Sequence, residues 1–335
     1  MSDFKITMLG TSRSGKTCYL HAMHFVMGGR GRRGFNVICE DDDRGQAMAA
    51  TYEKMRRDRV SPPLNAVGDF VRYPFVFTYG YKPVIRFEWL DYRGSALEDG
   101  ASAADRRALR TQLLASSAIV ICVSGEHLKE ELTEEAADDV AADIGIRGIS
   151  QFLEEVHETN GIGPAALFPV LLLITKADLC IHRGQKALVA DVKQLFPTLF
   201  KEAPTGWHVM VCPVMLGRNI GSADNLTGGT IRPEYVHWPI VFAIHAQKHR
   251  EKSDLMKDAA SKARTRSELE DQFFLFRWMD KDDIDRLGRE RDEAIERAVA
   301  IDAELEILAS EIGSSDIYIN GKRPDDFDND EEAAS

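Results

Sequence analysis

The chain has little of what marks secreted, membrane-spanning or nucleic-acid-binding proteins. Its five cysteines, Cys18, Cys39, Cys122, Cys180 and Cys212, are odd in number and far apart. No pair has the close spacing of a zinc knuckle, and no disulfide framework is implied; buried free thiols in a reducing cytoplasm are expected. The N-terminus lacks the charged stretch and apolar segment of a secretory signal. No apolar run reaches the roughly 20 residues that span a bilayer. The longest, around Phe168 to Ile174, is strand-sized, so any membrane contact is expected to be indirect.

Basic charge is scarce as well. The net charge is −12, and Asp325, Asp326, Asp328, Asp330, Glu331 and Glu332 crowd six negatives into the C-terminal end. The one dense basic patch is Arg30, Arg32 and Arg33, in a Gly-rich loop. A basic face of the kind that tracks phosphate backbones is therefore not expected, nor is a nucleic-acid partner.

What is present is a rhythm of strand-length apolar runs separated by amphipathic helical stretches, the pattern of a buried parallel sheet with crossover helices. Strands are predicted near 4–9, 70–79, 83–90, 118–124, 168–175 and 207–213, and helices near 15–27, 43–58, 105–116, 134–158, 184–202 and 238–265. No helix intervenes between 70 and 90. The turn composition Tyr79-Gly80-Tyr81-Lys82-Pro83 makes that pair an antiparallel hairpin, expected at one edge of the sheet. Tyr73, Phe75, Phe77, Phe87 and Trp89 alternate there as core residues. The Gly-, Asn- and Thr-rich stretch 217–236 reads as a loop.

From Ile284 the spacing becomes a heptad, with Leu287, Arg291, Ala294, Ala298, Ile301, Leu305, Leu308 and Ile312 following in steps of three and four. Such a seam pairs with another helix, in a homodimer or folded back on the 238–265 helix. Arg291 and the two alanines weaken it as a parallel dimer and favour antiparallel packing. The aromatic cluster Phe273, Phe274, Phe276 and Trp278 reads as packing for these helices, with a docking surface as the alternative. His21 and His24, on the first helix, read as a packed or surface pair. The expected fold class is thus α/β, a mostly parallel sheet with one antiparallel edge hairpin and a C-terminal helical or coiled-coil extension. The expected division is 1–237 for the sheet domain, 238–312 for the helices and 313–335 for a disordered acidic tail.

Three motifs carry the chemistry. Directly after the first strand stands Gly10-Thr11-Ser12-Arg13-Ser14-Gly15-Lys16-Thr17, followed by a helix and Cys18, which is a complete Walker A loop. Its backbone N–H groups can wrap phosphates at the positive end of a helix, Lys16 reaches the β and γ phosphates, and Thr17 offers a hydroxyl to Mg²⁺. Arg13 and Ser14 shape the lip. The strand 84–90 then runs into Asp91-Tyr92-Arg93-Gly94, where a carboxylate can hold Mg²⁺ through water and the Gly94 N–H can sense a γ-phosphate. Finally Leu171 to Ile174 leads into Thr175-Lys176-Ala177-Asp178. Asp178 can accept two hydrogen bonds from guanine N1–H and its 2-amino group, a pair adenine cannot offer, while the aliphatic stem of Lys176 covers the base.

These three elements, in this order and at strand ends, resemble the P-loop GTPase superfamily over about residues 4 to 216. The Pro62-Pro63 segment and Pro233 to Ile244 look like the bacterial double-GTPase group, Ras-related domains of signalling and conflict-associated operons. The resemblance implies GTP or GDP with Mg²⁺ as ligands, Thr17 and Asp91 as metal ligands, and a switch read by a protein effector or activator. Two departures stand against it. The threonine that coordinates Mg²⁺ in the first switch has only Ser61, Asn65 or Thr51 as candidates, and Ser95 occupies the place of a water-orienting glutamine. Slow hydrolysis is therefore expected, with Lys16, Gly94 and Ser95 closest to the reaction, and a non-hydrolysing nucleotide-bound scaffold is the alternative. An ATPase remains only if Asp178 does not face the base. The usual base-contacting Ser-Ala loop reads Pro213-Val214-Met215-Leu216-Gly217 here, so contacts at Met215 would come from backbone N–H groups. The two segments expected to reorder with the γ-phosphate are roughly 59–69 and 91–104.

Overall fold

A computed structural model describes residues 4–29, 31, 33–62, 70–92, 94–97, 102–164, 166–218, 220, 228–276, 281–312 and 315–324. The expected residues Arg30, Arg32, Pro63, Asn65, Arg93, 98–101, Trp278 and 325–335 lie outside these, as do the side chains of Ser95, Phe273, Phe274 and Phe276.

The order is β1 (Phe4–Leu9), α1 (Lys16–Gly28), β2 (Phe35–Cys39), α2 (Asp42–Asp58), β3 (Phe70–Tyr79), β4 (Lys82–Tyr92), α3 (Ala103–Leu114), β5 (Ala118–Ser124), α4 (Glu134–Asp143), α5 (Ile146–Thr159), β6 (Phe168–Thr175), α6 (Gln185–Leu195), β7 (Trp207–Pro213), β8 (Met215–Arg218), β9 (Thr230–Glu234), α7 (Trp238–Phe276), α8 (Lys281–Ile312) and β10 (Asp316–Ile319). The chain divides into a sheet unit, Met1–Ala243 with Ser314–Ser335, and a helical unit, Ile244–Gly313.

The sheet has eight strands in the order β10-β7-β6-β5-β1-β4-β3-β2, and β1, β4, β5, β6 and β7 are parallel. Every residue of β5, β6 and β7 is buried, because helices cover both faces. On one face Ile119, Ile121, Val170, Leu172 and Val209 form a cluster with Leu109 and Leu113 of α3, Leu153 of α5 and Leu188 of α6. On the other face Tyr19 of α1 lies against Trp89, with ring centroids 6.0 Å apart, and Phe242 meets His208 edge-on at 4.7 Å. The expected aromatic core of the hairpin is present: Tyr73, Phe75, Phe77, Phe87 and Trp89 are all buried. His21 is also buried, and the His24 ring lies 5.8 Å from that of Phe75.

Several expectations need correction. The β3–β4 hairpin is not at the edge, because β2 adds antiparallel to β3 and takes that place. Asn36 and Ile38 interrupt a short buried run, and five residues give too little periodicity to read as a strand. The helix expected over 134–158 is two, α4 and α5, broken at Gly145, whose φ is +70°. Part of the loop expected over 217–236 is a two-stranded ladder of β8 and β9. The disorder expected from Gly313 fails at Asp316–Ile319, which pairs antiparallel with β7, so the helices interrupt the sheet unit rather than trail from it. Tyr318 explains the strand: it is buried, edge-on to Phe200 at 5.2 Å, with the Lys193 ammonium 4.1 Å above its ring.

In the helical unit, α7 and α8 run antiparallel. Lys248 pairs with Glu304, Lys252 with Asp302 and Lys262 with Glu290, so numbers rise along one helix as they fall along the other. The seam read from the sequence is the buried side of α8, through Ile284, Ala294, Ala298, Ile301, Leu305, Leu308 and Ile312. Arg291 is only partly covered and bonds the neighbouring Asp292. No helix among the described residues is long and apolar enough to cross a membrane.

Candidate functional site

The topology selects one end of the sheet. From β1 the chain passes to the far edge at β2 and builds back inward through β3 to β4, beside β1, then crosses to β5, β6 and β7 on the other side. Crossovers diverge at the carboxyl end of β1, leaving a crevice of the kind that open α/β sheets use for ligands. The loop Gly10–Gly15 fills that position. Gly15, at φ +86°, turns it into α1, whose first-turn N–H groups point back toward the crevice.

The loop is held from below. The Thr175 hydroxyl donates to the Ser14 carbonyl at 2.6 Å and lies 3.3 Å from the Val123 carbonyl, joining the loop to the ends of β5 and β6. Thr175 is buried, and its hydroxyl supports the loop from the strand ends. Lys16 is curled inward: its ammonium donates to the carbonyls of Gly10 and Thr11, both at 2.7 Å, and to the Ser14 hydroxyl at 3.2 Å. Ser12 is half-buried, and Arg13 is exposed at the lip with φ +63°, a conformation costly for an L-residue. Burial pushes the Cys18 thiol up to about 11, against the pull of the nearby Lys176 charge.

Beside the loop, β4 delivers Asp91. This carboxylate is fully buried and accepts a hydrogen bond from the Thr17 hydroxyl at 2.9 Å. Two hard oxygen donors so placed fit a Mg²⁺ ion that takes its other ligands from phosphate and water. No group of three or more His, Cys, Asp or Glu suited to a metal occurs among the described residues. Gly94 follows in a short 3-10 turn that touches the loop. A Cβ there would stand 2.1 Å from the Ser12 nitrogen and 2.2 Å from the Thr11 carbonyl carbon, a distance no side chain tolerates. Here is the physical reason for the glycine: backbone must meet backbone. Thr51 stands within α2, where its hydroxyl donates to the Ala47 carbonyl at 2.8 Å.

The third element stands at the end of β6. Lys176 adopts φ +50°, and its ammonium contacts the Glu126 carboxylate at 2.7 Å; Asp178 is half-buried in the next turn. The end of β7 is laced to this turn, because the Ala177 N–H donates to the Val214 carbonyl at 3.2 Å and the Val214 N–H to Ile174 at 2.8 Å. Met215 is buried in the apolar core, so a base could meet only its backbone.

Three strand ends, those of β1, β4 and β6, therefore carry Lys16, Thr17, Asp91, Gly94, Lys176 and Asp178. Ser61 is half-buried just beyond α2. Sequence reasoning missed Gly125 and Glu126, which form a short turn after β5. Their signal is a glycine and a carboxylate immediately following a fully apolar strand. No family model and no curated protein matches this chain.

Proposed function

We propose that the chain is a guanine-nucleotide-binding switch of the P-loop GTPase kind with slow Mg²⁺-dependent hydrolysis. The observation that carries this reading is the packing of Gly94 against the phosphate loop while Asp91, three residues earlier, accepts from Thr17. A terminal phosphate seated on the loop would meet both at once, so its loss would be felt in the turn after β4. Lys16 would exchange its carbonyl partners for phosphate oxygens, and its ammonium would stabilise charge developing on the γ-phosphate. Thr17 and Asp91 would hold Mg²⁺ directly or through water, and the ion when bound would neutralise phosphate charge. Asp178 would accept the two guanine donors.

Ser95 in place of a glutamine supports slow turnover, with an activating protein supplying what is missing. The same substitution supports a second reading, a nucleotide-bound scaffold that never turns over and assembles through α7 and α8. As a cytoplasmic switch in a signalling or conflict operon, the chain would pass its state to a protein effector. Nucleotide released by heat from the purified chain tests the reading: guanine nucleotide is expected, and adenine nucleotide or none would overturn it. Single-turnover hydrolysis of bound GTP then separates switch from scaffold.

A further inference from the structure

The turn Ser124-Gly125-Glu126 belongs to none of the three motifs, yet it is built against the third. A Cβ on Gly125 would lie 2.7 Å from the Lys176 carbonyl oxygen and 3.0 Å from both the Thr175 carbonyl oxygen and the Cys180 sulfur. The turn thus abuts the backbone of the Lys176 segment, leaving no room for a side chain between them. From this platform Glu126 reaches across. Its carboxylate accepts from the Lys176 ammonium at 2.7 Å and from the Ser124 hydroxyl at 3.2 Å. Both partners are about three-quarters covered, at 23% and 30% side-chain exposure, so the contact is sheltered compared with an open surface pair.

We propose that Glu126 is a positioning residue that pins Lys176 beside Asp178 and so sets how long a guanine base stays bound. The inference rests on the guanine reading above. A lysine stem has four rotatable bonds, and a stem that must cover a base loses that freedom on binding unless it is already held. Glu126 holds it from the far side. A carboxylate there fixes the ammonium through a charge-assisted bond between residues that follow β5 and β6. The backbone contributes too: Lys176 is held in the left-handed region, which directs its side chain independently of the strand pleat. The effect belongs to the base and not to the phosphates, which the loop beneath Lys16 would take.

The test uses the full chain, a fluorescent GDP analogue and inorganic tripolyphosphate as a phosphate-only probe. Glu126→Ala is expected to speed dissociation of the analogue about tenfold while leaving tripolyphosphate affinity unchanged. Glu126→Gln, which keeps an acceptor without the charge, should fall between. Lys176→Ala should cost about as much as Glu126→Ala, and the double variant no more than either alone, because the two act as one unit. Dissociation within about twofold of the unmodified rate in both Glu126 variants would overturn the inference alone, as would an equal loss of tripolyphosphate, which reports general loosening. An unmodified chain that binds tripolyphosphate but no guanine nucleotide would remove the guanine reading and this inference with it.

Discussion

The sheet unit and the helical unit bury their surfaces by different means. In the sheet unit, β5, β6 and β7 are buried along their whole length, and buried charge stands either at the candidate site, as Lys16 and Asp91, or in a pair, as Asp191 with Arg183 and Asp316 with Arg323. In the helical unit, apolar residues line one side of α8, while α7 answers with Lys248, Lys252 and Lys262 bonded to acids across the seam. A continuous buried core tolerates a built polar site at its edge; a thin seam carries ion pairs along its border. The contrast predicts which changes unmake structure and which unmake only function.

The largest effect is expected from Leu305→Asp with Leu308→Asp. Both leucines are buried on α8, and a buried unpaired carboxylate costs about 3 kcal/mol or more at each position. Limited proteolysis should cut between 244 and 313 while the sheet unit survives as a resistant core. Unchanged protease resistance would show that the seam contributes nothing. Next comes Lys16→Ala, expected to lower nucleotide affinity by about a thousandfold, roughly 4 kcal/mol. Melting temperature should hardly change, since the partners it abandons are carbonyls and a hydroxyl of its own loop. Calorimetric titration showing unaltered affinity would refute the phosphate site.

A smaller change should follow Asp178→Asn. An amide presents a donor where the carboxylate presented an acceptor, so guanine affinity should drop about ten- to a hundredfold, with xanthine nucleotide gaining. Competition between GTP, XTP and ATP reads this directly, and ATP outcompeting GTP on the unmodified chain would overturn the base assignment.

Acid should weaken both units together. Burial lowers His21, in the sheet unit, and His245, in the helical unit, from 6.5 to about 4. Between those values the unfolded chain binds protons that the folded chain refuses. The stability that neutral histidine supplies is complete above pH 6.5 and is lost as pH falls toward 4. Denaturant midpoints measured from pH 7 to 4 should fall, and His21→Gln should flatten the decline without changing the slope of denaturation. A profile that is flat over this window in the unmodified chain would contradict the burial of both rings.

Much of this was legible beforehand where signal is local. The turn from β1 into α1, the glycine that follows the β4 carboxylate, the parallel strands and the buried side of α8 each repeat a short pattern that physics demands of neighbouring residues. What escaped depends on partners distant in sequence. Phe35–Cys39 becomes a strand only because β3 offers it an edge, and Asp316–Ile319 only because β7 does. The support that Thr175 gives the loop depends on Ser14, far earlier in the chain. Glu126 gains meaning only from Lys176, fifty residues later.

The smallest effect, and the sharpest test of how the helical unit closes, belongs to Lys248→Met. The Lys248 side chain is 9% exposed, and its ammonium reaches Glu304 at 3.0 Å and Glu251 at 3.3 Å, both of which remain open to solvent. Its charge therefore sits at the border of the seam while its stem packs inside. Methionine keeps the stem and removes both the attraction and the cost of desolvating the ammonium. These oppose each other, so stability should move by less than about 1 kcal/mol in either direction. Lys248→Ala removes the stem as well and should lower stability by about 1 to 2 kcal/mol. If Met and Ala variants lose stability equally in thermal melts, and added salt weakens the unmodified chain to match, the ion pairs close the seam. If only alanine costs, the stems do, and the charges serve to keep the two helices antiparallel and in register.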